Sequence, residues 1–85
     1  MSDHAKILDV EVVHLPGRKF PGAVIQGDSL SIWLTHVHAA RDAATGGDLN
    51  ELCEELASLE SKIRGCLDHY EKTLAKNGFG LPYVR

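Results

Sequence analysis

The chain has 85 residues, 44% of them hydrophobic and 25% charged, which excludes wholesale disorder and leaves one domain of thin stability margin, because about 60–65% of the unfolded surface is buried on folding at this length. A formal net charge of −3, with nine Lys and Arg scattered along the chain, excludes the basic stripe that nucleic-acid backbones require. No apolar run is long enough to cross a bilayer, and the start Met1-Ser2-Asp3-His4 lacks the apolar segment of a signal peptide.

From Lys6 to Leu15 the pattern alternates, Leu8, Val10 and Val12 on one face and Asp9 and Glu11 on the other, which predicts a strand over about 6–15 with one wet side. Leu15-Pro16-Gly17-Arg18 is turn chemistry, since Pro presets φ at the first central position and Gly supplies positive φ at the second. A second strand over about 20–26 follows, Pro21-Gly22 marking its edge start, and the two strands pair as an antiparallel hairpin. Asp28 or Ser29 then caps a helix over about 29–45, with Leu30, Trp33, Leu34, Val37 and Ala40 as its core face. Gly46-Gly47 ends it. Asp48 with Glu51 three residues on opens a second helix over about 49–77 in the manner of a capping box, and Gly78 closes it with Phe79 set to pack on Leu74. Residues 79–85 form a tail whose Leu81-Pro82-Tyr83-Val84 can add a short extended segment. The expected fold is α+β in a single domain, 1–85: an N-terminal β-hairpin packed on two antiparallel helices, the second long.

The second helix carries a seam at 3–4 spacing, Leu49, Leu52, Leu56, Leu59, Ile63, Cys66, Tyr70 and Leu74. At about 45 Å it would overhang a domain about 30 Å across, so the seam, with Leu52, Leu56, Leu59, Ile63 and Tyr70 as its core and dimer residues, predicts a homodimer. Cys53 and Cys66 are 13 residues apart on this helix, roughly 20 Å, and cannot bridge each other. Reduced thiols in a cytoplasmic protein are the expectation, with both side chains serving as small packing residues.

Chemistry is sparse along the chain. His36 and His38 lie roughly 200° apart around one helix and cannot share an ion, while Cys66 and His69 supply two ligands where zinc needs three or four. No metal, no cofactor and no catalytic residue are expected. There is no nucleophile elbow, Walker loop, His-Glu-x-x-His or Cys-x-x-Cys. Two surfaces remain for binding a protein partner. One is the loop with Arg18, Lys19 and Phe20, two cations beside an aromatic on a rigid turn. The other is the acidic helix start, Glu51, Glu54 and Glu55, which calls for a basic partner and also suits the helix dipole. The rival expectations are a small-ligand-binding or catalytic domain, with His38, Arg41, Asp42 and Gln26 at a dimer cleft, and an accessory subunit of a larger complex.

The run from Val10 to Leu30, with Leu15-Pro16-Gly17-Arg18-Lys19-Phe20-Pro21-Gly22 and Ile25-Gln26-Gly27-Asp28-Ser29-Leu30 as its signature, resembles a family of small bacterial proteins of unknown function. The resemblance covers about a quarter of the chain. It implies bacterial origin and this fold, and carries no catalytic residues. By class and size the chain is also similar to immunity proteins, which neutralise antibacterial toxins by covering the active site, and a non-enzymatic immunity or antitoxin protein is the most specific expectation.

Overall fold

The computed structural model describes residues 6–9 and 11–84. Its elements are β1 (Lys6–Asp9), β2 (Val12–His14), β3 (Gly22–Ala23), α1 (Gly27–Thr45) and α2 (Leu49–Lys76). They fall into two compact units, Met1–Val24 with Cys66–Arg85, and Ile25–Gly65. Helix α2 contributes to both.

In the first unit the strands form an antiparallel sheet of order β1-β2-β3. β1 pairs with β2 with Ile7 opposite Val13, and the register shifts between Ile7 and Asp9. The alternating run expected as one strand over 6–15 is therefore itself a hairpin, reversing between Asp9 and Val12. Val10 lies outside the described residues. The physical reason is local: Asp9 and Glu11 are poor strand formers, whereas Ile7, Val12 and Val13 favour the pleated surface. The hairpin keeps Leu8 beside Val12 as the single-strand reading had it, Val12 wholly buried and Leu8 packed on its cluster.

The Leu15–Arg18 turn forms as expected, with Gly17 at φ 77° and the Arg18 N–H donating to the Leu15 carbonyl at 3.3 Å. The second expected strand, about 20–26, shrinks to Gly22–Ala23 on the far edge of β2. One further bond, from the Val24 N–H to the Glu11 carbonyl at 2.7 Å, extends the pairing. Pro21 brings no N–H to the ladder on one side, and α1 begins at Gly27 on the other.

Val12, Tyr70 and Leu74 make the buried centre of this unit, with Leu8, Phe79 and Tyr83 packed against it. The Tyr70 hydroxyl donates to the Pro21 carbonyl at 2.5 Å, so the one polar atom of this aromatic is satisfied where it is buried. Gly78 takes φ 78°. The Phe79 N–H then reaches the Leu74 carbonyl at 2.9 Å and the Gly78 N–H the Ala75 carbonyl at 3.3 Å, which is the bond pair of a Schellman ending with its hydrophobic contact. The tail adds no strand through Val84. Tyr83 instead stacks on Tyr70, ring centroids 6.4 Å apart, and donates to Glu71 at 3.1 Å.

The second unit is a helical hairpin of α1 and the first part of α2. Neither Asp28 nor Ser29 caps α1: the N-cap is Gln26, with no side-chain cap bond, and Asp28 sits in the first turn, where it accepts from the Ser29 N–H at 2.8 Å. The reversal follows the sequence closely. Gly47 turns the chain at φ 75°, and Asp48 caps α2 by accepting from the Glu51 N–H at 3.0 Å. Half of the capping box is present, because the Asp48 N–H donates to the Ala43 carbonyl at 2.9 Å instead.

Candidate docking surface on the helical hairpin

Helix α1 turns inward only part of the face its apolar spacing suggests, Trp33 and Ala40. Ala40 and Ala43 are buried and Trp33 and His36 half-buried. Leu30, Leu34 and Val37, expected in the core, are 51%, 54% and 38% exposed. In α2 the inward residues are Leu52, Glu55 and Leu59, all half-buried, while Leu49, Leu56 and Ile63 of the same seam are exposed. The seam thus divides. Its Leu52 and Leu59 face α1, its Leu56 and Ile63 face solvent, and Tyr70 belongs to the core of the other unit.

These exposed rows share one side of the hairpin. Each is turned roughly 70–120° from its helix's inward row, in the same rotational sense seen from the helix's own N-terminus. Since the helices run antiparallel, equal turns bring both rows to the same side. That side presents Leu30, Leu34, Val37, Leu49, Leu56 and Ile63, all more than a third exposed. The opposite side carries Asp28 and Asp42 of α1 and Glu51 and Glu54 of α2, with Ile32 as its exposed aliphatic residue.

Between the helices, His36 Nδ1 and Glu55 Oε2 lie 2.7 Å apart. This bond to His36 holds the Glu55 carboxyl below its ordinary pKa against partial desolvation, and a bond from Glu51 acts the same way. The Glu51 carboxyl is raised, first by its hydrogen bond with Glu55, then by desolvation and by the neighbouring charges of Glu55, Glu54 and Asp48. The acidic trio is therefore brought together: Glu55 is tied inward to His36, Glu51 is half-buried and bonded to Glu55, and Glu54 is exposed.

In the Arg18–Phe20 loop, Arg18 and Lys19 are exposed and Phe20 half-buried. The Lys19 ammonium stands 5.5 Å from the Phe20 ring centre, within cation–π range. The Arg18 carbonyl is 2.7 Å from His14 Nε2, and the same imidazole meets Phe79 edge-on at 5.0 Å, which pins the loop's end to the helix terminus. His38, Arg41, Asp42 and Thr45 line a depression of about 160 Å³. All four come from one helix face, and ligand sites are typically about 300–1,000 Å³. Gln26 lies twelve residues away along α1, roughly 18 Å, so one chain does not gather that set. Cys53 is exposed and Cys66 half-buried, so Cys53 is not the packing residue it was expected to be.

A family model described as a family of unknown function, DUF6959, matches residues 4–83. The chain belongs to DUF6959. No curated protein and no solved structure matches it. The DUF6959 match takes in the Arg18–Phe20 loop, the acidic trio and both apolar rows, and assigns no reaction to any of them. Among the described residues, no three His, Cys, Asp or Glu side chains are grouped to hold a metal ion, and no helix is long and apolar enough to cross a membrane.

The exposed row of α1 is not legible in the sequence because a stripe about 100° wide does not say which of its borders faces inward. The available signal was Ala40 with Ala43, small residues where two helices must come close. His36 was likewise passed over as a partner for Glu55, since no spacing rule links positions on different helices.

Proposed function

We propose that this DUF6959 protein is a non-enzymatic protein-binding module that docks through the apolar side of its helical hairpin. The observation that carries this is the row pair Leu30, Leu34, Val37 and Leu49, Leu56, Ile63, exposed together on one side. Contiguous apolar surface rimmed by polar residues marks an interaction site, and an apolar helix face with no helix over it belongs to an incomplete bundle. The more specific form of the proposal is a cytoplasmic immunity or antitoxin protein that covers the active site of a bacterial toxin. What supports that form is the acidic opposite side, where Glu51 and Glu54 with Asp28 and Asp42 would steer toward a basic surface.

The test is capture from a native bacterial extract with the immobilised protein and with a Leu34→Glu, Leu56→Glu variant. A specific polypeptide retained by the former and lost by the latter is expected. Equal retention by both would remove the apolar side as the docking surface. For the toxin form, reversing Glu51 and Glu54 should slow association with the captured protein and flatten its salt dependence, and an unchanged rate would retire that side.

A further inference from the structure

We propose that the occupant of the apolar side is a second copy of this chain, two helical hairpins closing face to face into a four-helix bundle about a two-fold axis. This rests on the docking reading above and names its partner. Three observations favour the second copy over an unrelated protein.

The first is periodicity. Leu49, Leu56 and Ile63 repeat every seven residues, as do Leu30 and Val37, and the inward Leu52 and Leu59 keep the same interval. A strict heptad is the pattern of helices that pack along their whole length at a shallow left-handed crossing. Each helix has one heptad position satisfied inside the hairpin and the other left open. A bundle of four satisfies both.

Charge is the second. The chain carries −3 overall, so two copies repel unless the excess is kept off the interface. Here the carboxylates are sorted: Asp28, Asp42, Glu51 and Glu54 lie on the opposite side with Lys62, and the apolar side carries Arg41, Glu60 and Arg64. Glu60 is bonded to Arg64 at 3.0 Å, which leaves one cation per copy. An isologous contact on this side therefore avoids the acidic excess of the chain, whereas the opposite side, with four carboxylates against one ammonium, would repel its own copy more strongly.

The third is area. A fully exposed Leu or Ile side chain offers roughly 100 Å² of apolar surface, and at the exposures observed the six row residues together offer about 300 Å². A standard interface takes about 800 Å² per partner, about 65% of it apolar in homodimers. The rows alone supply more than half of that apolar share, and Trp33, Leu52 and Leu59 along their inner border add to it. A short heterologous peptide would leave much of so broad a side uncovered.

Sedimentation velocity on the full chain tests this directly, with the wild type, the Leu34→Glu, Leu56→Glu variant and Ile32→Glu as the opposite-side control. The expected result is the mass of two chains for the wild type and for Ile32→Glu, and of one chain for the double variant with its helical circular dichroism retained. Should the double variant fail to fold, the wild type alone decides, because the melting temperature of a dimer rises with protein concentration across about a hundredfold dilution and that of a monomer does not. A wild type of one chain's mass with a concentration-independent melting temperature overturns the second copy. So does a folded double variant that stays dimeric, or an Ile32→Glu chain that dissociates. The docking reading fails separately: a monomeric wild type that captures a polypeptide through Leu34 and Leu56 keeps that reading and loses only the second copy.

Discussion

At the residue scale, two groups of polar contacts set how this protein responds to substitution and to pH. Tyr70 is buried in the apolar centre of its unit and its hydroxyl satisfies the Pro21 carbonyl. Tyr70→Phe leaves that carbonyl without its donor and should cost about 1–2 kcal/mol in urea denaturation. Burial also pushes the Tyr70 phenol above its ordinary pKa. The other group is the Glu51–Glu55–His36 set, whose two carboxyls have pKa values displaced in opposite directions. Glu55 has a lowered folded pKa, so it contributes stability above its unfolded pKa, and that contribution disappears as pH falls through the folded value. Glu51 has a raised one, so its contribution is complete below the unfolded pKa and is lost as pH rises through the folded value. Glu51→Gln, which removes the like charge and keeps a donor for Glu55, should therefore raise the denaturation midpoint at neutral pH and leave it unchanged in acid. Glu55→Gln should lower the neutral midpoint and flatten the acid decline. A midpoint at neutral pH that moves the other way for either variant contradicts the assignment.

At the scale of elements, the end of α1 and both ends of α2 were the most legible part of the chain, whereas the start of α1 at Gln26 was not. Gly46-Gly47-Asp48 and Gly78-Phe79 act through their own backbone geometry, so residue identity alone determines the outcome. Gly78 has positive φ and open space around a would-be Cβ. Gly78→Ala should thus cost only the left-handed backbone penalty, about 1–2 kcal/mol, while Asp48→Ala should cost about 1 kcal/mol through the lost cap. Leu74 is wholly buried, and Leu74→Ala should cost about 2–5 kcal/mol. Thermal denaturation of the three variants checks the order, with Leu74→Ala the most damaging. The strands were less legible, because a run of alternating residues has the same face pattern whether it continues or doubles back. Leu8 and Val12 share a face either way, and what separates the two readings is pairing between Ile7 and Val13, a relation that alternation along the chain does not carry.

At the scale of the whole molecule, the same helix serves two purposes along its length. Past Cys66 the α2 seam is spent on the protein's own core, through Tyr70 and Leu74, whereas before Gly65 three of its five residues, Leu49, Leu56 and Ile63, are left open. The sequence showed a seam running the length of the helix. It did not show which part would be covered, since that depends on which α1 row turns inward. The two halves of the seam predict different mutant behaviour. Leu59→Asp puts a carboxylate into the half-buried contact between α1 and α2 and should unfold the hairpin, because an unpaired charge there costs several kcal/mol. Ile63→Asp should leave the fold intact and abolish association. Circular dichroism and light scattering on the two variants separate these outcomes.

The main claim is that the Leu30-Leu34-Val37 and Leu49-Leu56-Ile63 rows are covered by a second copy of this chain. Isotope-filtered NOE spectroscopy on a mixture of methyl-labelled and unlabelled chains measures that contact directly. We expect intermolecular cross-peaks from the methyl groups of Leu34, Val37, Leu56 and Ile63 and none from Val12 or Leu74. A spectrum without intermolecular peaks from the rows, or with peaks arising from the sheet instead, would contradict the account.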